Sequence, residues 1–223
     1  MIVCIPNVLT GETLARVREL LATGTFVDGK QTAGWHARLV KDNTQLAQSD
    51  VATQASAIIH DALMNSAVFR TAVRPKYLRG MLFSRYSGGQ TYGSHVDDAM
   101  MSAEGGTMRS DVSMTVFLND PGEYEGGELV IEGAGGETPY KLDAGAVITY
   151  PATTLHRVEA VTSGTREVAV SWAQSFVRAP EHREILFDLD TARRSLFQRE
   201  GKSAEFDQLS KSHANLLRMW AET

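Results

Sequence analysis

The pattern of apolar and polar residues divides the chain into a helical beginning, a strand-rich middle and a helical end. Apolar residues recur at helical spacing over 10–24 and again over 50–64. Over 77–177, short segments rich in Val, Ile, Thr and aromatic residues are separated by turns that contain Gly or Asn. Two further amphipathic helices are predicted over 184–197 and 204–220. The chain is therefore expected to be an α+β protein.

The repeated short strands predict a sandwich or barrel of antiparallel strands, of which a jelly roll is one form. We expect three parts: an N-terminal strand with supporting helices over 1–76, a β core over 77–178, and a C-terminal helical extension over 179–223. The N-terminal helices should pack outside the β core. The apolar stripes of the C-terminal helices must cover something, either the sheet or the same stripe in a second subunit, so a homo-oligomer is one of two alternatives.

Composition narrows the choice of partner and compartment. The formal charge of −5 argues against a nucleic-acid partner, because nucleic acids recruit an excess of Lys and Arg. Cys4 is the only cysteine, so an intrachain disulfide is excluded. Neither a signal-like start nor an apolar run long enough to span a bilayer is present, so we expect no membrane contact and a cytoplasmic location.

The segment YSGGQTYGSHVDD, residues 86–98, carries the first candidate chemistry. In an extended strand, His95 and Asp97 lie on one face, while Val96 and Asp98 face away. Asp98 should then be unimportant for a site formed by Asp97. One more histidine would complete the 2-His-1-carboxylate triad that holds non-haem Fe(II) with open coordination positions.

His156 is the best candidate for that second histidine, because the residues at 36, 60, 182 and 213 lie in helical or undecided segments. The segments LHRVEAV and REVAVSW are predicted to form a hairpin joined by residues 162–165. His156 and Val158 would face inward on the first strand, and Arg166 and Trp172 would share a face on the second.

A buried Arg166 would need an anion, because a guanidinium keeps its charge. One explanation is a structural ion pair with Asp or Glu. The other is a ligand: Fe(II) held by two neutral imidazoles and one carboxylate suits a chelating 2-oxo acid, whose far carboxylate would bind Arg166 bidentately.

The order His95-x-Asp97, His156, Arg166 in β-rich segments resembles the motif of Fe(II)- and 2-oxoglutarate-dependent dioxygenases in the prolyl-hydroxylase-like branch. The segments RYSGGQTYGSHVD, GGELVIEG and YPATTLHRVEAVTSGTREVAVSW are similar to those of bacterial PKHD-type hydroxylases, and the resemblance extends over nearly the whole chain. It implies a double-stranded β-helix (jelly-roll) core, iron on His95, Asp97 and His156, and 2-oxoglutarate on Arg166.

The resemblance also implies that the Tyr86 hydroxyl binds the 2-oxoglutarate carboxylate and that Tyr92 lines the site. Trp172 is a pocket candidate because it shares the face of Arg166. Hydroxylation of a small molecule or protein side chain would consume dioxygen and release succinate and carbon dioxide. L-Ascorbate as an additional cofactor and a link to bacterial iron uptake are further implications of the family.

Two other functions stay open from the residues alone. Two histidines and an aspartate also suit Zn(II) in a hydrolase or lyase. A non-catalytic β-sandwich that binds a small anion or a carbohydrate is the second alternative. The Met- and Gly-rich stretch 99–108, directly after the first two candidate ligands, is a candidate mobile lid.

Overall fold

Most strands lie in the middle of the chain and the longer helices lie towards its two ends, as the apolar pattern predicts. The structure is a computed structural model and describes residues 1–103 and 106–223. The α-helices of these ranges are α1 (Gly11–Thr23), α2 (Asp50–Asn65), α3 (Ala67–Val73), α4 (Pro180–Glu200) and α5 (Ala204–Trp220). The strands are β1 (Val3–Ile5), β2 (Phe26–Asp28), β3 (Lys41–Asp42), β4 (Thr44–Leu46), β5 (Pro75–Leu78), β6 (Leu82–Ser87), β7 (Thr91–His95), β8 (Met100–Ala103), β9 (Gly106–Arg109), β10 (Val112–Phe117), β11 (Tyr124–Gly126), β12 (Leu129–Gly133), β13 (Gly136–Tyr140), β14 (Val147–Pro151), β15 (His156–Val158) and β16 (Val161–Ser175).

Two antiparallel sheets form the β core. The larger sheet has the order β1-β14-β10-β16-β6-β4-β2, and β5 and β11 also pair with β16. The smaller sheet has the order β13-β12-β15-β7-β3. Consecutive strands alternate between the sheets over much of the core, which is the wrapping of a jelly roll. The predicted α+β class with a jelly-roll core is confirmed. Among the described residues, no helix is long and apolar enough to cross a membrane.

The larger sheet packs against a different hydrophobic cluster on each of its two faces. On β10, Met114 and Val116 pack with the helices α1 and α2, whereas Phe117 packs inside the β core. All six residues of β10 are buried although apolar and polar residues alternate along it (VSMTVF), because both faces of the strand are covered. The inner core is rich in tyrosines and lies beside the cavity described below.

The N-terminal helices pack on the outer face of the larger sheet, as predicted. Helix α2 begins after Ser49, whose hydroxyl accepts a hydrogen bond from the backbone N–H of Ala52 at 3.2 Å. Its buried residues Ala55, Ile59 and Leu63 recur at four-residue spacing, so one stripe of the helix faces the core.

The C-terminal helices pack against each other through aromatic contacts. The His182 and Trp220 rings stack at a centroid distance of 4.1 Å, and Phe197 contacts Phe206 at 5.0 Å. The predicted apolar stripe of α5 therefore has a partner within the chain. Ile185, which belongs to the predicted apolar stripe of α4, is exposed in the single chain.

The buried face of α4 is instead formed by Arg183, Leu186 and Asp190. Arg183 donates to the carbonyl oxygens of Val177 and Asp111, at 2.8 and 3.3 Å. The spacing of apolar residues could not predict this buried face, because the hydrogen bonds of Arg183 to the end of the β core fix it.

The predicted hairpin between LHRVEAV and REVAVSW is wrong. Strand β15 pairs with β7 and β12 in the smaller sheet, whereas β16 pairs with β10 and β6 in the larger one. The expected loop at 162–165 lies inside β16. Gly164, with φ of +71°, is needed there because a Cβ atom would lie 2.2 Å from the carbonyl oxygen of Glu123. The glycine marks the close approach of β16 to the segment that leads into β11 rather than a turn.

The candidate lid forms a two-stranded hairpin of β8 and β9. Met100 and Met101 of this hairpin line the cavity, and the Arg79 guanidinium donates to the carbonyl oxygen of Ser102 at 3.2 Å. Residues 104–105 of the predicted lid lie outside the described residues.

Candidate metal centre and its cavity

Three side chains from neighbouring strands form a cluster suited to a metal ion. His95 ends β7, Asp97 follows two residues later, and His156 begins β15. His156 lies directly opposite His95 in the antiparallel pairing of these strands. One ligand atom from each of the three side chains lies within 4.8 Å of the others. Within the described ranges, no other group of three His, Cys, Asp or Glu residues meets this criterion.

Backbone carbonyls orient both imidazoles. Nδ1 of His95 lies 2.8 Å from the carbonyl oxygen of Gly93, and Nδ1 of His156 lies 3.0 Å from that of Thr154. A carbonyl oxygen only accepts, so each Nδ1 carries the proton and each Nε2 presents a lone pair. Burial, with nearby His156 as a second cause, lowers the pKa of His95 to about 4. The protonated Nδ1 atom and the lowered pKa of His95 both favour the neutral imidazole that a metal ion requires.

Ser113 of β10 holds the carboxylate of the cluster. Its hydroxyl donates to Oδ2 of Asp97 at 2.5 Å, and the same oxygen lies 3.8 Å from Nε2 of His156. The serine comes from the larger sheet, so this hydrogen bond joins the two sheets at the centre. Sequence reasoning missed Ser113, since nothing near it in the chain indicates a partner on β7.

Ser113→Ala is expected to weaken divalent-metal binding about tenfold, because an unsupported carboxylate loses its fixed orientation. The measurement is a titration of the metal-free protein with Mn(II), compared with the exposed-site control Ser195→Ala. An unchanged metal affinity in Ser113→Ala would show that the hydrogen bond does not position Asp97.

Asp98 lines the cavity that contains the cluster, a position that the prediction from strand alternation did not anticipate. The strand ends at His95, so the alternation of faces stops before Asp97. Asp98 and Val96 both line the same cavity as the cluster. The Asp98 carboxylate lies 3.1 Å from the position that a Cβ atom on Gly34 would occupy. Asp98 is therefore part of the cavity wall.

Arg166 is a buried cation in the wall of the cavity. It lies on β16, is 1% exposed, and lines the cavity. Its Nε and Nη1 atoms are buried and have no hydrogen-bond partner. Among the described residues, no carboxylate pairs with it within 4.0 Å. The structural ion pair considered for Arg166 is therefore not found, and burial lowers the pKa of this guanidinium.

Tyrosines surround Arg166. The Tyr86 ring lies 5.2 Å from the guanidinium carbon, on the adjacent strand β6, and Arg166 is directly opposite Tyr86 in the pairing. Tyr150, which sequence reasoning missed, lines the cavity and contacts the His156 ring at a centroid distance of 5.1 Å. Burial raises the pKa of both hydroxyls, so both tyrosines stay neutral hydrogen-bonding groups.

Tyr92 and Trp172, the two predicted pocket residues, both line the cavity. The Tyr92 ring stacks on the His95 ring at a centroid distance of 3.7 Å. The indole Nε1 of Trp172 is buried without a hydrogen-bond partner, and Arg79 lies over its ring at 5.3 Å. Tyr92 thus holds the His95 ring by stacking, and Trp172 contributes to the wall of the same cavity.

Gly127 makes room for the Arg166 side chain. Its φ is +69°, and a Cβ atom there would lie 2.9 Å from Cδ of Arg166. A side chain at this position would displace the arginine from the cavity wall.

A second buried cation, Lys41 of β3, lines the same cavity of about 300 Å³. Lys41 is 5% exposed, and its ammonium donates to the Thr32 hydroxyl at 3.0 Å. The Thr32 hydroxyl in turn donates to the Gln45 side chain, and the Gln45 amide donates to Ser84 at 3.0 Å. Burial lowers the pKa of Lys41 to about 8.

Lys41→Met is expected to raise the free energy of unfolding of the metal-free protein by about 2 to 3 kcal/mol at pH 7. The folded-state pKa lies below that of the unfolded chain, so the wild-type penalty is full below pH 8. The penalty decreases between pH 8 and pH 10.5 and is lost above pH 10.5, where the lysine becomes neutral in both states. Denaturant unfolding at pH 7 and pH 10.5 measures the difference, with Lys211→Met as the exposed control. A Lys41→Met protein that is less stable than wild type at pH 7 would contradict this account.

The comparisons with known proteins agree with the geometry. A family model described as the 2OG-Fe(II) oxygenase superfamily matches residues 81–174, and one described as the PKHD-type hydroxylase C-terminal domain matches residues 181–222. A PKHD-type hydroxylase of Gloeothece citriformis is 55% identical over 222 residues, covering 100% of each chain. A PKHD-type hydroxylase of Picosynechococcus sp. is 57% identical over 219 residues, covering 98% of each chain.

A solved structure gives independent support for the fold. The prolyl hydroxylase of Trichoplax adhaerens, solved in complex with a hypoxia inducible factor peptide fragment, superposes with a TM-score of 0.58 at 13% identity. The match covers 77% of this chain and 82% of the other. At that identity the likeness concerns the fold alone, whereas the full-length relatives define the family. The chain belongs to the PKHD-type hydroxylase family and is an Fe(II)- and 2-oxoglutarate-dependent dioxygenase.

Proposed function

We propose that the chain hydroxylates a small molecule or a protein side chain at Fe(II) held by His95, Asp97 and His156, with 2-oxoglutarate bound through Arg166. The observation that carries the proposal is the buried, unpaired guanidinium of Arg166 in the wall of the cavity that also contains the cluster. A dicarboxylic co-substrate supplies the anion that this guanidinium lacks.

The donor set fits Fe(II). Two neutral imidazoles with free Nε2 atoms and one carboxylate match the facial triad of non-haem iron oxygenases, which leaves coordination positions for co-substrates. Bound Fe(II) and 2-oxoglutarate supply the oxidising chemistry: dioxygen is consumed, 2-oxoglutarate becomes succinate and carbon dioxide, and a substrate C–H becomes C–OH.

The chain's own residues orient the reactants and exclude water. Arg166 binds the far carboxylate bidentately, and the Tyr86 hydroxyl donates to the same carboxylate. Ser113 keeps Asp97 directed at the metal position, and Tyr92 fixes the His95 ring by stacking. The buried tyrosines and the β8–β9 hairpin shield the cavity from solvent.

Several wider features belong to the same proposal. L-Ascorbate serves as a reducing cofactor, as in the family, and the enzyme acts in the cytoplasm in a process linked to bacterial iron uptake. Residues 1–76, 77–178 and 179–223 form the supporting, catalytic and C-terminal parts. The net charge of −5 supports the absence of a nucleic-acid partner. Exposed apolar residues of the C-terminal helices, Ile185 and Met219 among them, support a homo-oligomer through this region.

The test is succinate formation by the Fe(II)-loaded protein. Incubation with 2-oxoglutarate, oxygen and candidate substrates should give succinate above the substrate-free rate, with one oxygen atom gained by the substrate per succinate. Succinate that stays at the rate of metal alone, with every candidate, would contradict the proposal. Membership in an oxygenase family already disfavours a zinc hydrolase or lyase and a non-catalytic β-sandwich.

A further inference from the structure

Lys41 is a buried cation that neither carboxylate of 2-oxoglutarate binds in the proposed function. Its side chain lines the cavity, and the residue is 5% exposed. Among the described residues, no carboxylate lies within 4.0 Å of its Nζ atom. The carboxylates of Asp28 and Asp97 attract the ammonium only from beyond that distance. A buried ammonium without a direct ion-pair partner is costly, so its presence favours a bound anion.

A chain of hydrogen bonds keeps the Lys41 ammonium in place. Thr32 accepts from Lys41, Gln45 accepts from Thr32, and Ser84 accepts from the Gln45 amide. These groups are neutral, so they fix the position of the ammonium and do not neutralise it. The Lys41 ammonium also lies 5.2 Å from the centroid of the Tyr92 ring, which stacks on His95. The charge is therefore held near the proposed metal position.

Both ends of 2-oxoglutarate are already used. In the proposed function, the oxo-acid end chelates the metal and the far carboxylate binds Arg166. Arg166 lies on β16 of the larger sheet, whereas Lys41 lies on β3 at the edge of the smaller sheet. The two cations thus belong to different walls of the cavity, and Lys41 is left for another ligand.

We propose that the substrate to be hydroxylated carries an oxyanion, such as a carboxylate or a phosphate, and that Lys41 binds this group beside the metal. The inference rests on the proposed function and narrows its substrate class to anionic molecules or acidic side chains. Lys41 would select the substrate by charge, because binding of that anion would offset the cost of burying the ammonium.

The test uses paramagnetic broadening of fluorinated probes. The full chain is loaded with Mn(II) and saturating 2-oxoglutarate without oxygen, and 19F signals are recorded for 4-fluorobenzoate, 4-fluorophenyl phosphate and neutral 4-fluorobenzamide. At least one anion should be broadened with an apparent affinity at least tenfold higher than that of the amide. Lys41→Met and Lys41→Gln should remove this preference, whereas Lys211→Met should retain it.

The proton signals of 2-oxoglutarate in the same samples distinguish a failure of the substrate inference from a failure of the proposed function. The substrate inference is overturned, and the proposed function is not, if the 2-oxoglutarate signals are broadened but the signals of both anions are not. The same holds if the Lys41 variants still bind an anion more tightly than the amide. If Mn(II) does not broaden the 2-oxoglutarate signals of the wild-type protein, the proposed function fails. Broadened 2-oxoglutarate signals in the Lys41 variants show that their sites are intact.

Discussion

Arg166→Ala weakens 2-oxoglutarate binding about 100-fold and leaves divalent-metal binding largely intact. Truncating one member of a buried charge pair typically costs 2 to 5 kcal/mol, or roughly 30-fold to several thousand-fold in affinity. Arg166 contacts the tyrosines of the inner core and is absent from the metal cluster. Calorimetric titration of the Mn(II)-loaded protein with 2-oxoglutarate gives the affinity directly.

Two variants control for the loss of volume and of charge. Arg166→Met keeps much of the side-chain volume and should be as defective as Arg166→Ala, while the exposed-site variant Arg199→Ala should behave as wild type. Unchanged 2-oxoglutarate affinity in Arg166→Ala would remove the carboxylate-binding role from this residue.

His156→Ala abolishes both metal binding and 2-oxoglutarate binding. Two remaining ligands, His95 and Asp97, cannot hold Fe(II) tightly, and a chelating co-substrate needs the metal. Metal content after anaerobic reconstitution and gel filtration, followed by titration with 2-oxoglutarate, measures both losses. His60→Ala, on an exposed face of α2, is the matched control and should retain one metal per chain. Stoichiometric metal in His156→Ala would place the centre elsewhere.

The two variants together separate the metal from the co-substrate. Arg166→Ala should lose only 2-oxoglutarate, and His156→Ala should lose both. Asp98→Asn is not a neutral control, because Asp98 lines the cavity.

The candidate metal ligands could be predicted from local sequence, because each lies at or near the end of a predictable strand. His95 and His156 fall in short β-rich segments, and the alternation along β16 correctly puts Arg166 on the face of Val168 and Val170. These inferences depend only on the two-residue period of a strand. The wrong hairpin prediction does not affect these inferences, because the face on which a side chain lies does not depend on which strand pairs with its own.

Contacts between distant segments could not be predicted in the same way. Ser113 and Lys41 approach the centre from β10 and β3, and their own neighbours in the chain look like ordinary strand residues. Residues 162–165 have the composition of a turn, yet they continue a strand because Gly164 permits a close approach to the backbone of Glu123. The position of Asp98 depended on the exact end of β7, which composition does not fix.

Anaerobic addition of 2-oxoglutarate to the Fe(II)-loaded protein is the most direct measurement of the central claim. We predict a visible charge-transfer band from bidentate chelation of Fe(II), which appears in the wild-type protein at stoichiometric 2-oxoglutarate. Arg166→Ala should need about 100-fold more 2-oxoglutarate to develop the band, and His156→Ala should not develop it. A wild-type protein that binds Fe(II) but develops no band at saturating 2-oxoglutarate would contradict this prediction.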